Sequence, residues 1–440
     1  TLYLPLKYTR GRADKLQTVS LLPAEAEQVV TLQETDALLL QQSAVKDDRD
    51  NILPGEPIVL IVEDDENFAS VLLHMVHEQG YKGLIALRAA TALQLAKKVV
   101  PDAITLDLLL PDMDGWALLD LLKHDLDTRH VPVTLISGTD ERQRALRMGA
   151  AGFILKPAQP ESIVSALQGM HELRKRETRL LLLIEPDQKE FRSIVETLGE
   201  GITVTAAKTG KQGIKLAAAG GFDCIVIGSP ATDMKITELL EKMGKLPKLA
   251  PIVLTQPIPR REQSKLKSLN SDVVFRVASN PEALFDAVTL FLHREMIALS
   301  KEQREMLDLR RRHYPELAGK KVLIVDDDIR NIFALTSVLE RHDMLVSYSE
   351  NGLDGIDSLK RNPEFDIVLM DVMMPEMDGY ETMRRIRAVK EFVKLPMIAL
   401  TAKAMKGDRE KCIEAGASDY IAKPVNIEQL LSMLRVSLSQ

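Results

Sequence analysis

Three stretches of this chain repeat one pattern: a short apolar run ends in acidic residues, and a helical pattern follows. These stretches are residues 58–65, 180–187 and 322–328. A second apolar run follows each of them at a similar distance, at residues 103–107, 224–228 and 367–371. Because the repeat recurs across most of the chain, the sequence predicts three related structural units rather than one large core.

The apolar runs consist mainly of Val, Ile and Leu, without alternating polar residues. Such runs indicate strands buried on both faces, as in a parallel sheet with helices on each side. In the third unit we predict five strands, at residues 322–325, 345–348, 367–371, 397–401 and 420–422. The predicted fold class is therefore α/β: three flavodoxin-like, doubly wound domains, each with a five-stranded parallel sheet, joined by helical linkers.

Composition excludes several functional classes. The net charge of −7 gives no general attraction to nucleic acid or to an anionic membrane. The two cysteines, Cys224 and Cys412, fall in different units, which argues against a disulfide scaffold and favours a reducing compartment. No apolar run is long enough for a membrane helix, and no signal peptide is recognisable. We expect a cytoplasmic chain that contacts neither nucleic acid nor membrane, whether its parent protein is soluble or membrane-anchored.

In the third unit, acidic residues stand at the carboxyl ends of the predicted strands. Asp326 and Asp327 end the first strand, and Asp371 ends the third. The strand ends of a doubly wound sheet converge on one crevice, where three carboxylates repel one another and need a compensating cation. Mg²⁺, a hard divalent cation that prefers oxygen ligands, suits such a site.

A hydroxyl and a lysine extend this site towards phosphate. Thr401 ends the fourth strand and Lys423 follows the fifth, so they supply a hydrogen-bond donor and a positive charge. A carboxylate beside Mg²⁺ and a lysine can attack phosphorus and form an acyl phosphate. The first unit repeats the set in the same order, with Glu63, Asp64, Asp107, Ser137 and Lys156.

Two longer motifs carry a family resemblance. Residues 106–115 read LDLLLPDMDG and residues 370–379 read MDVMMPEMDG, and a Lys-Pro pair follows later in each unit. These segments resemble the receiver domain of two-component response regulators, the CheY-like receivers. The resemblance implies that Asp107 and Asp371 are phosphoacceptors.

The resemblance also implies roles around each acceptor. Mg²⁺ is bound in that family by the second acidic residue, the acceptor and the carbonyl two residues after it. Glu63 and Asp326 would act mainly through metal-bound water, and the aromatic switch position falls on Phe153 and Tyr420. The implied direct ligands are Asp64, Asp107 and Leu109 in the first unit, and Asp327, Asp371 and Met373 in the third.

The middle unit departs from the pattern. Glu185 is retained, but Pro186 replaces the second metal ligand and Gly228 replaces the acceptor. Thr255 fits the hydroxyl position, whereas Val277 or Arg276 falls where a lysine is needed. We interpret this unit as a pseudo-receiver, which is either a spacer that keeps only the fold or a docking or allosteric module.

The remaining segments are interpreted as connections. Residues 1–6 are similar to the last strand of the ATPase domain of sensor histidine kinases, so the layout resembles the C-terminal part of a hybrid sensor histidine kinase, cut from a longer protein. Ser300 and Gln303 form a capping box that would start a helix between the second and third units. The predicted domains are a kinase remnant at 1–8, a linker at 9–56, receivers at 57–172, 179–294 (degenerate) and 320–440, and a helical linker at 295–319.

The resemblance implies phosphoryl acceptance from phosphohistidine and relay within a two-component system. The expected partners are a histidine kinase core, in cis or in trans, and a histidine phosphotransfer protein or downstream response regulator, with dimerisation through the parent kinase. The alternative is a regulatory scaffold whose receivers control the kinase by phosphorylation-dependent docking. A phosphatase of the haloacid-dehalogenase type would need a second aspartate two residues after the nucleophile, where Leu109 and Met373 stand. The chain lacks recognisable ATP-binding glycine boxes, so we expect ATP-dependent catalysis from the parent protein rather than from this part.

Overall fold

A computed structural model describes residues 45–176, 178–229, 233–258, 273–312, 314–402 and 408–438. Its strands form three five-stranded sheets, and every strand pair is parallel. The predicted kinase remnant at 1–8 and the greater part of the linker at 9–56 lie outside the described residues. No helix in the described ranges has both the length and the apolar character needed to cross a membrane.

The strands of the three sheets follow one another in chain order. They are β1 (Ile58–Val62), β2 (Lys82–Ala86), β3 (Ala103–Asp107), β4 (Val133–Ser137), β5 (Gly152–Leu155), β6 (Arg179–Ile184), β7 (Ile202–Ala207), β8 (Cys224–Ile227), β9 (Ile252–Leu254), β10 (Phe275–Val277), β11 (Lys321–Val325), β12 (Leu345–Ser349), β13 (Ile367–Asp371), β14 (Met397–Thr401) and β15 (Asp419–Ala422). The first sheet has the order β2-β1-β3-β4-β5, and the other two sheets repeat it. This order confirms the predicted doubly wound α/β fold in all three units.

Helices connect the strands and cover both faces of each sheet. They are α1 (Glu66–Glu78), α2 (Ala89–Val99), α3 (Gly115–His124), α4 (Arg142–Arg147), α5 (Pro160–Lys175), α6 (Gln188–Leu198), α7 (Gly210–Ala219), α8 (Ile236–Met243), α9 (Pro281–Phe291), α10 (Lys301–Arg312), α11 (Ile329–Glu340), α12 (Gly352–Arg361), α13 (Gly379–Arg387), α14 (Asp408–Glu414) and α15 (Ile427–Leu438). Short 3-10 helices occupy Met296–Ala298 and Lys390–Phe392.

The sequence determines these elements through burial and capping. All five residues of β1 and of β3 are buried, as expected for strands between two helical layers. Helix α1 buries one stripe of apolar side chains. It begins after Asp65, whose carboxylate accepts hydrogen bonds from the backbone amides of Asn67 and Phe68. In the third unit Asp328 caps α11 by accepting a hydrogen bond from the Arg330 backbone amide. The acidic clusters therefore stand where strands end and helices begin.

The described end of the 9–56 linker covers an edge of the first sheet. The Asp48 amide donates a hydrogen bond to the Gly83 carbonyl at 3.1 Å, and the Asp48 carboxylate accepts one from the Gly83 amide at 2.8 Å. Asp47 accepts another from the Ile85 amide at 2.8 Å. These contacts satisfy the outer side of β2, which would otherwise be an open edge strand.

Helix α10 belongs to the linker predicted at 295–319 and packs on the middle unit. Its predicted capping box is present, because Ser300 Oγ accepts from the Gln303 amide at 3.3 Å and Gln303 Oε1 accepts from the Ser300 amide at 3.1 Å. Leu299 and Leu307 are buried in the hydrophobic core of the middle unit. The segment is thus part of that core as well as a connection, which sequence analysis does not predict.

The three units also contact one another directly. Arg129 of the first unit pairs with Asp286 of the middle unit at 2.8 Å. Helix α15 of the third unit packs against α3 of the first, with a buried ion pair between Arg435 and Asp120. The first unit therefore packs against both of the other units.

Candidate functional site

The first unit brings three predicted carboxylates together at the carboxyl ends of β1 and β3. Glu63 and Asp107 are buried, whereas Asp64 is exposed. One carboxylate oxygen from each lies within 4.8 Å of those of the other two. Such a group of oxygen atoms has the chemistry and spacing of a divalent-cation site.

Lys156, which follows β5, reaches into this acidic cluster. Its Nζ lies 2.9 Å from Asp107 Oδ2 and 3.0 Å from Glu63 Oε2. Burial alone would lower the pKa of Lys156, but the hydrogen bonds and charges of Asp107 and Glu63 outweigh it and raise the pKa. Burial and the charge of Asp107 raise the pKa of Glu63 to about 7, although Lys156 opposes this. One cation therefore compensates only part of the negative charge in the crevice.

The third unit repeats the arrangement with different acids. Carboxylate oxygens of Asp326, Asp327 and Asp371 lie within 4.8 Å of one another. Lys423 Nζ lies 2.8 Å from Asp326 Oδ2 and 2.9 Å from Asp371 Oδ2. Burial raises the pKa of Asp371, with Lys423 opposing and Asp326 adding to the shift. Asn331, which sequence analysis does not single out, donates through Nδ2 to Asp326 Oδ1 at 3.1 Å.

The predicted hydroxyl residues lie on the strand next to each acceptor. Asp107 pairs in register with Ile136, and Asp371 pairs with Leu400, so the following residues are Ser137 and Thr401. Both hydroxyl residues are buried, at 4% and 3% exposure. The parallel register therefore brings acid, hydroxyl and lysine from three adjacent strands to one edge of each sheet.

The loop after each acceptor folds tightly against it. The Leu109 amide donates to Asp107 Oδ1 at 3.4 Å, and the Met373 amide donates to Asp371 Oδ1 at 3.2 Å. A Cβ on Gly115 would lie 2.5 Å from the Asp107 carbonyl oxygen, so only glycine fits there. The glycine of the Asp-Gly pair in the motif is thus required by the close approach of the loop to the strand.

The two predicted switch aromatics have different surroundings. Phe153 is buried, and the Arg142 guanidinium lies 5.8 Å from the centre of its ring. Tyr420 is also buried, and its hydroxyl donates a hydrogen bond to the Pro111 carbonyl of the first unit at 2.9 Å. Neither the sequence nor the resemblance predicts this contact between units.

The middle unit fills the corresponding space with Glu185. A Cβ on Gly228 would lie 1.9 Å from Glu185 Oε2, so the glutamate occupies the place of an acceptor side chain. Its carboxylate accepts hydrogen bonds from the Ser229 amide at 2.6 Å and the Asp187 amide at 2.8 Å. Among the described residues, three-acid clusters that could hold a metal occur in the first and third units. Two backbone amides thus supply hydrogen bonds to this buried acid.

The sequence pattern of the family "Response regulator receiver domain" matches residues 59–168 and 322–435, together just over half of the 440 residues. The chain belongs to the response regulator receiver domain family. The first and third units are thus receivers, and the chain takes part in two-component phosphorelay signalling.

Similar proteins include both single receivers and large kinases. Protein PilH of Pseudomonas aeruginosa is 37% identical over 119 residues, which are 27% of this chain and 98% of PilH. Histidine kinase 3 of Arabidopsis thaliana is 35% identical over 134 residues, covering 26% of this chain and 13% of that protein. The histidine-protein kinase BarA of Escherichia coli is 29% identical over 217 residues, covering 48% and 22%. The chain therefore spans less than a quarter of the length of either kinase.

The solved structures similar to this chain include single receiver domains. The receiver domain of a sensor histidine kinase from Pseudomonas aeruginosa PAO1, solved with a magnesium ion coordinated in its active-site cleft, is 36% identical. It covers 28% of this chain and 100% of that domain, with a TM-score of 0.27.

Proposed function

We propose that the first and third receivers accept phosphoryl groups on Asp107 and Asp371. The observation that supports this most strongly is the repeated crevice, in which a buried aspartate lies 2.9 Å from a lysine ammonium and beside two more acids. Two independent crevices with the same arrangement of groups are difficult to explain as structural ion pairs alone.

The proposed reaction is an in-line transfer from phosphohistidine. An oxygen of the aspartate attacks phosphorus, the P–N bond breaks, and the imidazole nitrogen leaves with the electron pair. Lys156 or Lys423 faces the charge that develops on the phosphoryl oxygens, and the Ser137 or Thr401 hydroxyl can donate a hydrogen bond to one of them. The product is an aspartyl phosphate.

The donor set of each crevice fits Mg²⁺. We propose that Asp64, Asp107 and the Leu109 carbonyl hold it in the first receiver, and that Asp327, Asp371 and the Met373 carbonyl hold it in the third. When bound, the ion supplies positive charge that offsets the carboxylates and the incoming phosphoryl oxygens. Glu63 and Asp326, which each bind the lysine, would lie in the surrounding shell.

We further propose that the middle unit is a pseudo-receiver. Its support is the Glu185 carboxylate folded over Gly228, which leaves neither a nucleophile nor room for one. The ion pair between Arg129 and Asp286 holds the first unit against the middle unit, and Leu307 of the connecting helix packs in the core of the middle unit. These contacts favour an organising role over that of a passive spacer.

The similarity to hybrid kinases supports a proposal for the whole protein. We propose that this chain is the receiver-bearing part of a cytoplasmic or membrane-anchored hybrid histidine kinase. The kinase core, in cis or in trans, would supply the phosphohistidine, and a histidine phosphotransfer protein or response regulator would exchange phosphate with the receivers. The parent kinase would be the route to a dimer.

The test is to count phosphoryl groups on the full chain after treatment with acetyl phosphate and Mg²⁺. Intact mass should show up to two groups on the wild type, one on Asp107→Asn or Asp371→Asn, and none on the double variant. Removing Mg²⁺ with a chelator should abolish labelling. A phosphoryl group on the double variant would overturn the assignment of the acceptors and of the pseudo-receiver.

A further inference from the structure

The third receiver is docked on the first through a buried interface. Ser432 of α15 donates to the Ala117 carbonyl in α3 at 2.9 Å. Arg435 donates through Nε to Asp120 Oδ2 at 3.1 Å, and both side chains are buried. These contacts hold strand β15 and helix α15 beside the loop that follows Asp107.

One hydrogen bond in this interface reaches the loop itself. The Tyr420 hydroxyl donates to the Pro111 carbonyl at 2.9 Å, four residues after the proposed acceptor Asp107. Burial and the charges of Asp112 and Asp419 raise the pKa of Tyr420 to about 12, so its hydroxyl stays protonated as the donor. On the other side, Tyr420 stands three residues before Lys423, which binds Asp371. A short covalent and hydrogen-bonded path therefore joins the two acceptors.

The equivalent loops of the two receivers have different conformations. In the third receiver, the Pro375 carbonyl accepts from the Met377 amide at 2.7 Å, and Glu376 between them has a φ of 62°. In the first receiver, the Pro111 carbonyl instead accepts from Tyr420. The two motifs have nearly the same sequence, but their backbone conformations differ. The difference lies where Tyr420 of the third receiver contacts the loop of the first.

The side chain after Pro111 has its own role in this loop. Asp112 accepts hydrogen bonds from the Ala89 and Ala90 amides at 2.8 and 3.0 Å, at the start of α2. A backbone bridge also pairs Leu109 with Asp114. The segment that carries the Leu109 carbonyl is therefore anchored from three directions, and one of these anchors, Tyr420, comes from another receiver.

We propose that Tyr420 is a positioning residue for the phosphorylation loop of the first receiver, and that it couples the two acceptor sites. This inference rests on the proposed function of both crevices. By holding Pro111, Tyr420 fixes the loop on which the Leu109 carbonyl stands, and so strengthens Mg²⁺ binding beside Asp107. Coupling between sites is reciprocal, so a change at Asp371 alters the affinity of the first site through the same contact.

The chain contains a natural reporter for this loop. Trp116 is its only tryptophan, and it stands at the start of α3 directly after Gly115. Its amide donates to Asp114 Oδ1 at 2.8 Å, and its ring is buried below the Arg144 guanidinium at 4.3 Å. Tryptophan fluorescence therefore reports directly on the first receiver and its loop.

The experiment is a Mg²⁺ titration of the full chain, followed by Trp116 fluorescence, together with the rate of Asp107 labelling by acetyl phosphate. Tyr420→Phe removes one hydroxyl without changing the shape of the ring. We expect it to weaken Mg²⁺ binding at the first site about fivefold, the effect of one hydrogen bond, and to slow labelling of Asp107 in proportion. Ser432→Ala is the matched control, because it removes another hydroxyl-to-carbonyl bond of the same interface without touching the loop, and should leave both values unchanged.

The coupling is measured by a double-mutant cycle. Asp371→Asn should change the Mg²⁺ affinity of the first site in the wild-type background, and should have no effect in the Tyr420→Phe background. If Tyr420→Phe keeps the wild-type Mg²⁺ affinity and labelling rate, the inference is overturned. It is also overturned if Ser432→Ala lowers both values as much as Tyr420→Phe does, because that result would indicate a general loosening of the interface. A wild-type chain that neither binds Mg²⁺ nor labels at Asp107 would instead refute the proposed function itself.

Discussion

Lysine side chains that leave the solvent partly or fully occur in this molecule in two different settings. Lys156 and Lys423 each lie between two carboxylates, which keep them charged. Lys123 is more deeply buried, at 2% exposure, and its Nζ donates hydrogen bonds to the backbone carbonyls of Val131 at 2.6 Å and Arg129 at 3.2 Å. Burial and the charge of Arg129 lower the pKa of Lys123 from 10.5 to about 7.

This difference predicts a pH dependence of stability. Because the folded pKa of Lys123 is lowered, the unfolded chain binds more protons between about pH 7 and pH 10, and the free energy of unfolding should rise with pH there. Lys123→Met should remove this contribution. The melting temperature of the wild type should therefore rise relative to that of the variant as the pH is raised from 7 to about 9.5. Lys98→Met, at an exposed lysine, should follow the wild-type profile. Parallel profiles for wild type and Lys123→Met would contradict the assignment.

At the residue scale, the sequence predicts the reactive groups of the crevices better than it predicts the side chains that contact those groups. Asp107, Asp371 and their lysines follow from the convergence of parallel strand ends, a rule that needs no knowledge of distant contacts. Asn331 on Asp326 and Glu185 over Gly228 depend on side-chain rotamers, which the spacing of residues does not determine.

Among the elements, helix α10 lies in a linker but packs into the core of the middle unit. Leu307 is buried in the core of the middle unit, whereas Ile297 in the preceding turn is 82% exposed. The helix thus contributes Leu307 to the hydrophobic core of the middle unit, and Leu299 just before it lies in the same core.

We predict that Leu307→Ala destabilises the middle unit by about 2–5 kcal/mol, the cost of a cavity in a packed core. Hydrogen exchange of the amides in β6 and β8 should become faster, while β1 and β11 change little. Ile297→Ala is the matched control and should change stability by less than about 0.5 kcal/mol. Unchanged exchange in Leu307→Ala would show that α10 is only a connector.

The strand boundaries of the third unit follow the short apolar runs of the sequence closely. The five strands predicted in the third unit agree with β11 to β15 to within one residue at each end. The covering of β2 by Asp47 and Asp48 could not be predicted, because the match between a linker and a sheet edge depends on tertiary placement. The same holds for the packing of α15 on α3, which joins residues far apart in sequence.

Across the whole molecule, the two receivers present different faces to a partner. Counted from their capping aspartates, Ile329 and Phe333 of α11 correspond to Glu66 and Ser70 of α1. Phe333 is 75% exposed and Ile329 is 55% exposed. An apolar patch beside the Asp371 crevice suits a protein interface, whereas the first receiver is polar at the same place.

We therefore predict that Asp371 exchanges phosphate with a separate phosphotransfer protein, while Asp107 mainly regulates the kinase. Phe333→Ser, which installs the residue of the first receiver, should slow transfer between Asp371 and a phosphorylated histidine phosphotransfer domain about tenfold. Labelling by acetyl phosphate should stay unchanged, and Ser70→Ala is the control. Phosphate that still reaches the partner from Asp371→Asn, but not from Asp107→Asn, would show that the roles are reversed.

The central claim is that two of the three units accept phosphate and the middle one does not. The most direct measurement is to expose the full wild-type chain to a phosphohistidine donor with Mg²⁺, trap the aspartyl phosphates chemically and map them by peptide mass spectrometry. We predict modified peptides that contain Asp107 and Asp371, and none from residues 179–294. A modified residue in that middle range, or an unmodified Asp107 and Asp371 beside a spent donor, would contradict the account.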